Sequence, residues 1–214
     1  MWKPEQVLPS EISLAEELGV SIGTLRKAFD RLETERLLIR RQGRGTFVTN
    51  RASEEMLMRF TRIRDSAGRP LRNEAQPLEQ SQGPADVLEQ ERLRLTAEDT
   101  VLRTRRLRCH TGRPLTYEES RLALARFPGM DEGRVPHDYR ITALAQRYGL
   151  HLEHACERVS LAEATGEVAH LLSVESGKGL LRLDRVIYAT HDQPIEWRIA
   201  LCNLGEHSYF ADMR

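Results

Sequence analysis

Leu8-Pro9-Ser10-Glu11-Ile12-Ser13-Leu14-Ala15-Glu16-Glu17-Leu18-Gly19-Val20-Ser21-Ile22-Gly23-Thr24-Leu25-Arg26-Lys27-Ala28-Phe29 decides how the N-terminal part of this chain is read. Ser10, after Pro9, suits a helix N-cap, because its hydroxyl can accept a backbone N–H that a helix start leaves without a partner. Ile12, Leu14, Ala15 and Leu18 supply an apolar face, and Gly19 suits the left-handed residue that follows a helix. Ser21 is a second N-cap candidate. Beyond it Leu25, Ala28, Phe29 and Leu32 recur at i, i+3, i+4 and i+7, a full amphipathic stripe. About three residues turn the chain between the two helices, which is helix-turn-helix spacing.

Downstream, Leu38-Ile39-Arg40-Arg41-Gln42-Gly43-Arg44-Gly45-Thr46-Phe47-Val48 holds two short β-prone runs around a Gly-Arg-Gly tip and reads as a hairpin. Between Arg36 and Arg51 there are five arginines and no acid. A basic hairpin behind a helix-turn-helix is a winged helix. Its second helix can enter a major groove by the N-terminal end while the wing lies along phosphates. Gly43 and Gly45 let the backbone come close to a duplex.

The whole chain has 214 residues, enough for one large domain or two small ones. It is 40% hydrophobic and 30% charged, with 32 basic and 32 acidic residues. That excludes a collagen-like, a wholly disordered or a uniformly basic nucleic-acid-coating chain. Cys109, Cys156 and Cys202 lie far apart and form no CxxC, so a disulfide scaffold or zinc ribbon is not expected and a reducing, cytoplasmic setting is. No apolar run approaches the ~20 residues of a membrane span. Met1-Trp2-Lys3-Pro4-Glu5 lacks the apolar core of a signal peptide. No Walker loop, GxSxG elbow or HExxH is present. His151 and His154 would face opposite ways on a strand and could chelate on a helix, but the stretch follows Gly149 and precedes an expected strand, so no metal site is expected there.

Leu8–Glu11, Leu14–Ser21, Thr24–Ala28, Leu32-Glu33 and Arg41–Val48 resemble the winged-helix domain of the GntR family of bacterial regulators. The resemblance implies DNA contacts from Ser21, Thr24 and Arg26 on the recognition helix and from Gln42, Gly43 and Arg44 in the wing. The chain departs from the family pattern in three ways. The family has a full helix before Leu8, where this chain has seven residues. It commonly has arginine where Ile12 and Ile22 stand here. Gly23 replaces a usual Ser or Thr. An arginine replaced by isoleucine removes a phosphate or base-edge contact.

Thr49 to Glu55 is polar, so the boundary is placed there: residues 1–49 as the winged helix, 50–57 as a linker and 58–214 as a second domain. In that domain Phe60–Arg64, Val101–Cys109, Leu115–Leu122, Val159–Leu161, Leu180–Tyr188 and Ile195–Cys202 read as strands. Pro84–Leu95, a segment around Ile141–Tyr148 and Glu167–Leu172 read as helices. Hairpins interspersed with helices argue for an α+β domain on an antiparallel sheet.

Arg106 and Arg108 share one face of their strand, about 7 Å apart, a spacing that suits a phosphate or carboxylate. Arg185 lies on the face of Leu181, Leu183 and Ile187, where an arginine needs an anionic partner. Glu196 and Arg198 point away from Ile195, Trp197, Ile199 and Leu201. The hairpin around Gly112 decides whether Glu118 joins the arginines. A three-residue turn, Thr111-Gly112-Arg113, puts Arg106 opposite Glu118, whereas a two- or four-residue turn puts Glu118 on the other face.

The order and spacing of Val101, Arg106-Leu107-Arg108, Gly112-Arg113-Pro114-Leu115 with Glu118, Phe127-Pro128-Gly129, Tyr148-Gly149, Leu180–Val186 and Pro194-Ile195-Glu196 resemble the UTRA domain of the HutC branch of GntR regulators. The resemblance implies a chorismate-lyase-like fold that senses a small metabolite, with Arg106, Arg108, Glu118 and Glu196 lining the effector pocket. Arg185 and Tyr209 are further candidates; of the family's closing segment only Tyr209 remains. The combined reading is a cytoplasmic, homodimeric transcriptional regulator. It binds operator DNA and a small, anionic metabolite, and needs no cofactor, catalytic residue, metal or membrane. A metabolite-binding module with impaired DNA binding, and an enzyme with lyase-like chemistry, stand as alternatives.

Overall fold

The computed structural model describes residues 2, 5–34, 37–49, 58, 60–130 and 139–211. They belong to two compact units, Met1–Leu57 and Met58–Arg214. The segment 50–57, read above as a linker, lies outside the described residues.

In the first unit, α1 (Glu11–Leu18) and α2 (Ile22–Thr34) form where their caps and stripes direct. Ser10 Oγ accepts the Ser13 N–H at 3.2 Å, and Gly19 at φ 64° closes α1 onto the carbonyls of Ala15 and Glu16. Ser21 Oγ accepts the Thr24 N–H at 3.1 Å. Leu8, Leu14, Ala15, Leu25, Phe29 and Leu38 make the buried core, with Leu32 and Val48 packed against it. β1 (Leu38–Arg41) pairs antiparallel with β2 (Gly45–Val48), leaving Gln42-Gly43-Arg44 as the tip. Where the family resemblance implies an extra helix, residues 5–8 run beside β2. Glu5 N–H meets the Val48 carbonyl at 2.8 Å, and Leu8 N–H meets that of Thr46 at 2.8 Å.

The second unit is built on one antiparallel six-stranded sheet in the order β4-β5-β6-β9-β8-β7. Its strands are β4 (Glu74–Pro84), β5 (Thr100–His110), β6 (Arg113–Ala123), β7 (Leu152–Glu163), β8 (Gly179–Ala189) and β9 (Gln193–Cys202). The strand expected at Phe60–Arg64 shrinks to β3 (Ile63–Arg64), which pairs with β10 (Ser208–Tyr209). β4 has no counterpart in the sequence reading, and β7 is far longer than the three residues expected. β4 is a polar edge strand whose ladder shifts between Pro77 and Glu79, so it carries no alternation to read.

Both faces of the sheet are covered, which is why neighbours such as Val101 and Leu102 are both wholly buried. On one face lie α3 (Val87–Leu93) and α5 (Gly166–Leu171), over Trp197, Val186, Leu107 and Tyr117. On the other, α4 (Ile141–Arg147) covers Leu102, Leu122 and Ile187 at one end. At the other end Ile63 and Tyr209, from the β3–β10 ribbon, cover Leu183, Ala200 and Cys202. Between these two apolar clusters the same face carries charged side chains.

The turn joining β5 to β6 differs from expectation. It has two residues, Thr111 at φ 49° and Gly112 at φ 75°, so that His110 pairs with Arg113 and Cys109 with Pro114. Two positive φ values in a two-residue hairpin are a type I′ turn. A β-branched residue is strained in the left-handed region, by roughly 1–3 kcal/mol. Thr111→Asn is therefore expected to raise stability by about 1 kcal/mol. An unchanged or lowered melting temperature in that variant would contradict the assignment.

Candidate functional site

The charged patch is built by strand alternation on β5, β6, β9, β8 and β7. Register puts Arg106 opposite Glu118, Glu118 opposite Ala200, Ser120 opposite Arg198, Arg198 opposite Arg185 and Arg185 opposite Glu157. The two-residue turn alone would have put Glu118 on the other face. A bulge corrects it. The ladder shifts between Arg108 and Cys109, Leu115 is the extra residue, and Arg108 pairs with Thr116. Leu115 is then buried beside Ile63 and Leu71, an apolar gain that accounts for the extra residue lying there. The expected Arg106–Glu118 pairing thus arises from a bulge and not from a three-residue turn.

Glu118 is held by three guanidinium groups. Its Oε2 accepts from Arg106 Nε at 2.8 Å and Arg108 Nε at 3.0 Å, and its Oε1 from Arg198 Nη1 at 3.1 Å. Burial pushes the Glu118 carboxyl up, but Arg108, Arg198 and Arg106 outweigh it and hold it well below the usual carboxylate range. Arg106, 1% exposed, also lies over the Tyr139 ring at 4.3 Å. Tyr139 joins this cluster to Glu196. Its hydroxyl is 2.8 Å from Ser120 Oγ and donates to Glu196 Oε1 at 3.2 Å, while Ser120 Oγ donates to the same oxygen at 2.7 Å. The second oxygen, Glu196 Oε2, is buried and has no hydrogen-bond partner among the described residues.

Arg185 belongs to an adjoining cluster. Its Nε donates to Glu157 Oε1 at 2.6 Å, and Tyr209 donates its hydroxyl to Glu157 Oε2 at 2.7 Å. Burial lowers the pKa of Arg185, and so does Arg198, its cross-strand neighbour. Arg108 is lowered likewise, by burial and by Arg106 and Arg198, against the opposing pull of Glu118. For Arg106 and Arg198 burial acts in the same sense, but nearby groups including Glu118 and Glu196 outweigh it and their pKa values are raised. Among the described residues, Arg106, Arg108, Arg185 and Arg198 share this face with the carboxylates of Glu118, Glu157 and Glu196.

Of the residues expected at the site, Arg106, Arg108 and Glu118 meet directly, and Glu196 is linked to them through Ser120 and Tyr139. Arg185 lies in the neighbouring pair, and Tyr209 touches Glu157 rather than the Glu118 cluster. Arg198, Glu157, Ser120 and Tyr139 were not singled out from the sequence. Arg198 could have been, because it shares a strand face with Glu196.

In the first unit Ser21, Thr24, Arg26, Gln42, Gly43 and Arg44 are all exposed. Ser21 and Thr24 place their hydroxyls 2.8 Å apart at the head of α2. Arg26 Nε reaches Glu11 at 2.7 Å while its side chain stays 64% exposed. Arg40 is not available as the acid-free stretch suggests. α1 and α2 bring Asp30 to 2.6 Å, Glu33 to 2.9 Å and Glu11 to 3.6 Å from it. Arg41 lies over Phe47 at 5.0 Å, and Gly43 at φ 70° shapes the tip.

An open depression of about 740 Å³, lined by Ser173–Lys178 and Asn203, lies away from these clusters and holds none of the site residues. Among the described residues no group of three or more His, Cys, Asp or Glu is placed to hold a metal. No helix among them is long and apolar enough to cross a membrane.

Two family models match the chain: the UTRA domain over residues 69–207 and "Bacterial regulatory proteins, gntR family" over residues 1–48. The HTH-type transcriptional regulator Rv0792c of Mycobacterium tuberculosis is 30% identical over 195 residues, 88% of this chain and 71% of that protein. The "Probable fructoselysine utilization operon transcriptional repressor" of Escherichia coli K12 is 26% identical over 205 residues, 94% of this chain and 83% of the repressor. Among solved structures, PhnF from Mycobacterium smegmatis superposes with a TM-score of 0.63 at 22% identity, over 99% of this chain and 93% of that one.

Proposed function

This chain belongs to the GntR family of bacterial regulatory proteins and carries its UTRA domain, and from that premise we propose how its two units divide the work. Regulators of this type bind operator DNA and small-molecule effectors and are not enzymes. The reading advanced here is a cytoplasmic homodimer of the HutC branch. Residues 1–49 bind operator DNA, 50–57 link, and 58–214 bind a small, anionic metabolite. Ser21, Thr24 and Arg26 would contact the groove, and Gln42, Gly43 and Arg44 the phosphates. Arg106, Arg108, Glu118, Arg185 and Glu196 would form the effector site, with Tyr209 supporting it through Glu157. Two half-sites favour a dimer, because one short recognition helix reads too few base pairs for genomic specificity.

The observation that carries the effector reading is the gathering of the buried guanidinium groups of Arg106, Arg108 and Arg185 on one sheet face, next to the orphaned oxygen of Glu196. An anion would accept charge-assisted hydrogen bonds from such guanidinium groups. A hydroxyl or amine on the same molecule would supply the donor that Glu196 Oε2 lacks. A thermal-shift screen of the full chain against phosphorylated sugars, amino acids and acyl acids tests it. Stabilisation by anionic members is the expected result, and stabilisation by neutral compounds alone speaks against it. To change DNA affinity, the metabolite must bind the two conformations of the regulator unequally.

For the wing, Arg44→Ala is expected to weaken binding to all DNA sequences by a similar factor and to lower the salt slope by about one. A salt titration of DNA affinity, with an unchanged slope in the variant, would count against the wing as a phosphate contact.

A further inference from the structure

The apolar stripe of α2 runs past the protein's own core. Leu25 and Phe29 are buried among Leu8, Leu14 and Leu38. Ile22, three residues before Leu25 and on the same side of the helix, is 39% exposed. It is the first residue of α2, the end of a recognition helix that reaches base edges. Its neighbours there are the Ser21 and Thr24 hydroxyls, and Gly23 adds no side chain to the first turn. A Cβ on Gly23 would meet only Ser21 Oγ, at 3.8 Å, so packing does not demand the glycine. The guanidinium one turn on, Arg26, is drawn to Glu11 at 2.7 Å. Exposed Lys27, Arg41 and Arg44 supply positive charge to the same unit. The leading turn therefore offers an apolar branched side chain where most of its surroundings suit a polyanion.

Among the features a major groove displays, the apolar one is the thymine 5-methyl group. Resting on the operator-binding reading above, we propose that Ile22 packs on a thymine 5-methyl in the major groove and so selects thymine at that position of each half-site. Such a contact keeps two apolar groups out of water.

The test uses the full chain and duplexes that it enriches from a random-sequence library. In the enriched site each thymine is replaced in turn by deoxyuracil, which removes the methyl and nothing else. One replacement in a single half-site is expected to weaken wild-type binding about fourfold, the value of one buried methyl. The same replacement should cost Ile22→Ala nothing further. Ile22→Arg, also at an exposed position, is expected to enrich guanine there, since arginine pairs with the guanine O6 and N7. Equal deoxyuracil penalties in wild type and Ile22→Ala, or no penalty at any thymine, would overturn the assignment while leaving operator binding intact. Failure to enrich any sequence would overturn both this inference and the operator-binding reading.

Discussion

Arg106→Ala is expected to abolish the response to the metabolite while operator binding in its absence persists. Arg106 is buried against Tyr139 and donates to Glu118. Without it Glu118 keeps Arg108 and Arg198, so no buried carboxylate is stranded. What is lost is one of the two guanidinium groups, Arg106 and Arg108, that would pair with the anion. Truncating one partner of a desolvated, hydrogen-bonded charge pair costs roughly 2–5 kcal/mol of binding, at least about 30-fold in Kd. Calorimetry with whichever anionic metabolite stabilises the wild type measures this directly. Wild-type affinity in the variant would sink the assignment. Arg106→Lys keeps the charge but loses the planar fork, and is expected to fall between the two.

The parts of this site that could be read from the sequence are those that follow from strand period alone. Arg106 with Arg108, Arg185 with Leu183, and Glu196 opposed to Trp197 each need only the two-residue alternation of a strand. Pairing between strands also needs the turn, and there local chemistry misled. Gly112 signals a left-handed residue but does not say that Thr111 will share that conformation. The bulge at Leu115 depends on the apolar cluster it fills, which consists of residues distant in sequence. Tyr139 was invisible for the same reason. It comes from outside any strand, and only the folded chain brings its ring over Arg106.

β4 shows the opposite limit. Glu74–Pro84 is eleven residues of strand with hardly an apolar side chain, because an edge strand is held by backbone hydrogen bonds and owes little to burial. Hydrophobic pattern cannot find such an element. In the first unit the caps at Ser10 and Ser21 were legible, because an N-cap acts within three residues of itself. The pairing of Arg40 with Glu11, Asp30 and Glu33 was not, because a run free of acids in sequence says nothing about helices packed against it.

Glu118 carries the largest expected effect on stability. Its carboxylate is the common partner of Arg106, Arg108 and Arg198, and removing it leaves three guanidinium groups crowded without that anion. Breaking a buried ion pair from one side costs about 3–5 kcal/mol, so Glu118→Ala should lose roughly that much near neutral pH, and Glu118→Gln somewhat less. The pH dependence separates this from a packing defect. The folded-state pKa of Glu118 lies well below the ordinary range of a glutamate carboxyl, so as the pH falls the unfolded chain takes up the proton more readily than the folded one. The stabilisation is therefore complete above the unfolded pKa and drains away as pH falls toward the depressed folded value. Glu157 is lowered in the same direction but is present in wild type and variant alike, so its contribution largely cancels in the difference. Urea unfolding of wild type and Glu118→Gln near pH 7 and near pH 3 should accordingly show a wide gap that narrows in acid. A gap that stays constant across that range would mean that the arginines do not depend on the Glu118 charge. The cluster would then lose its claim to be an anion site held in balance by one carboxylate.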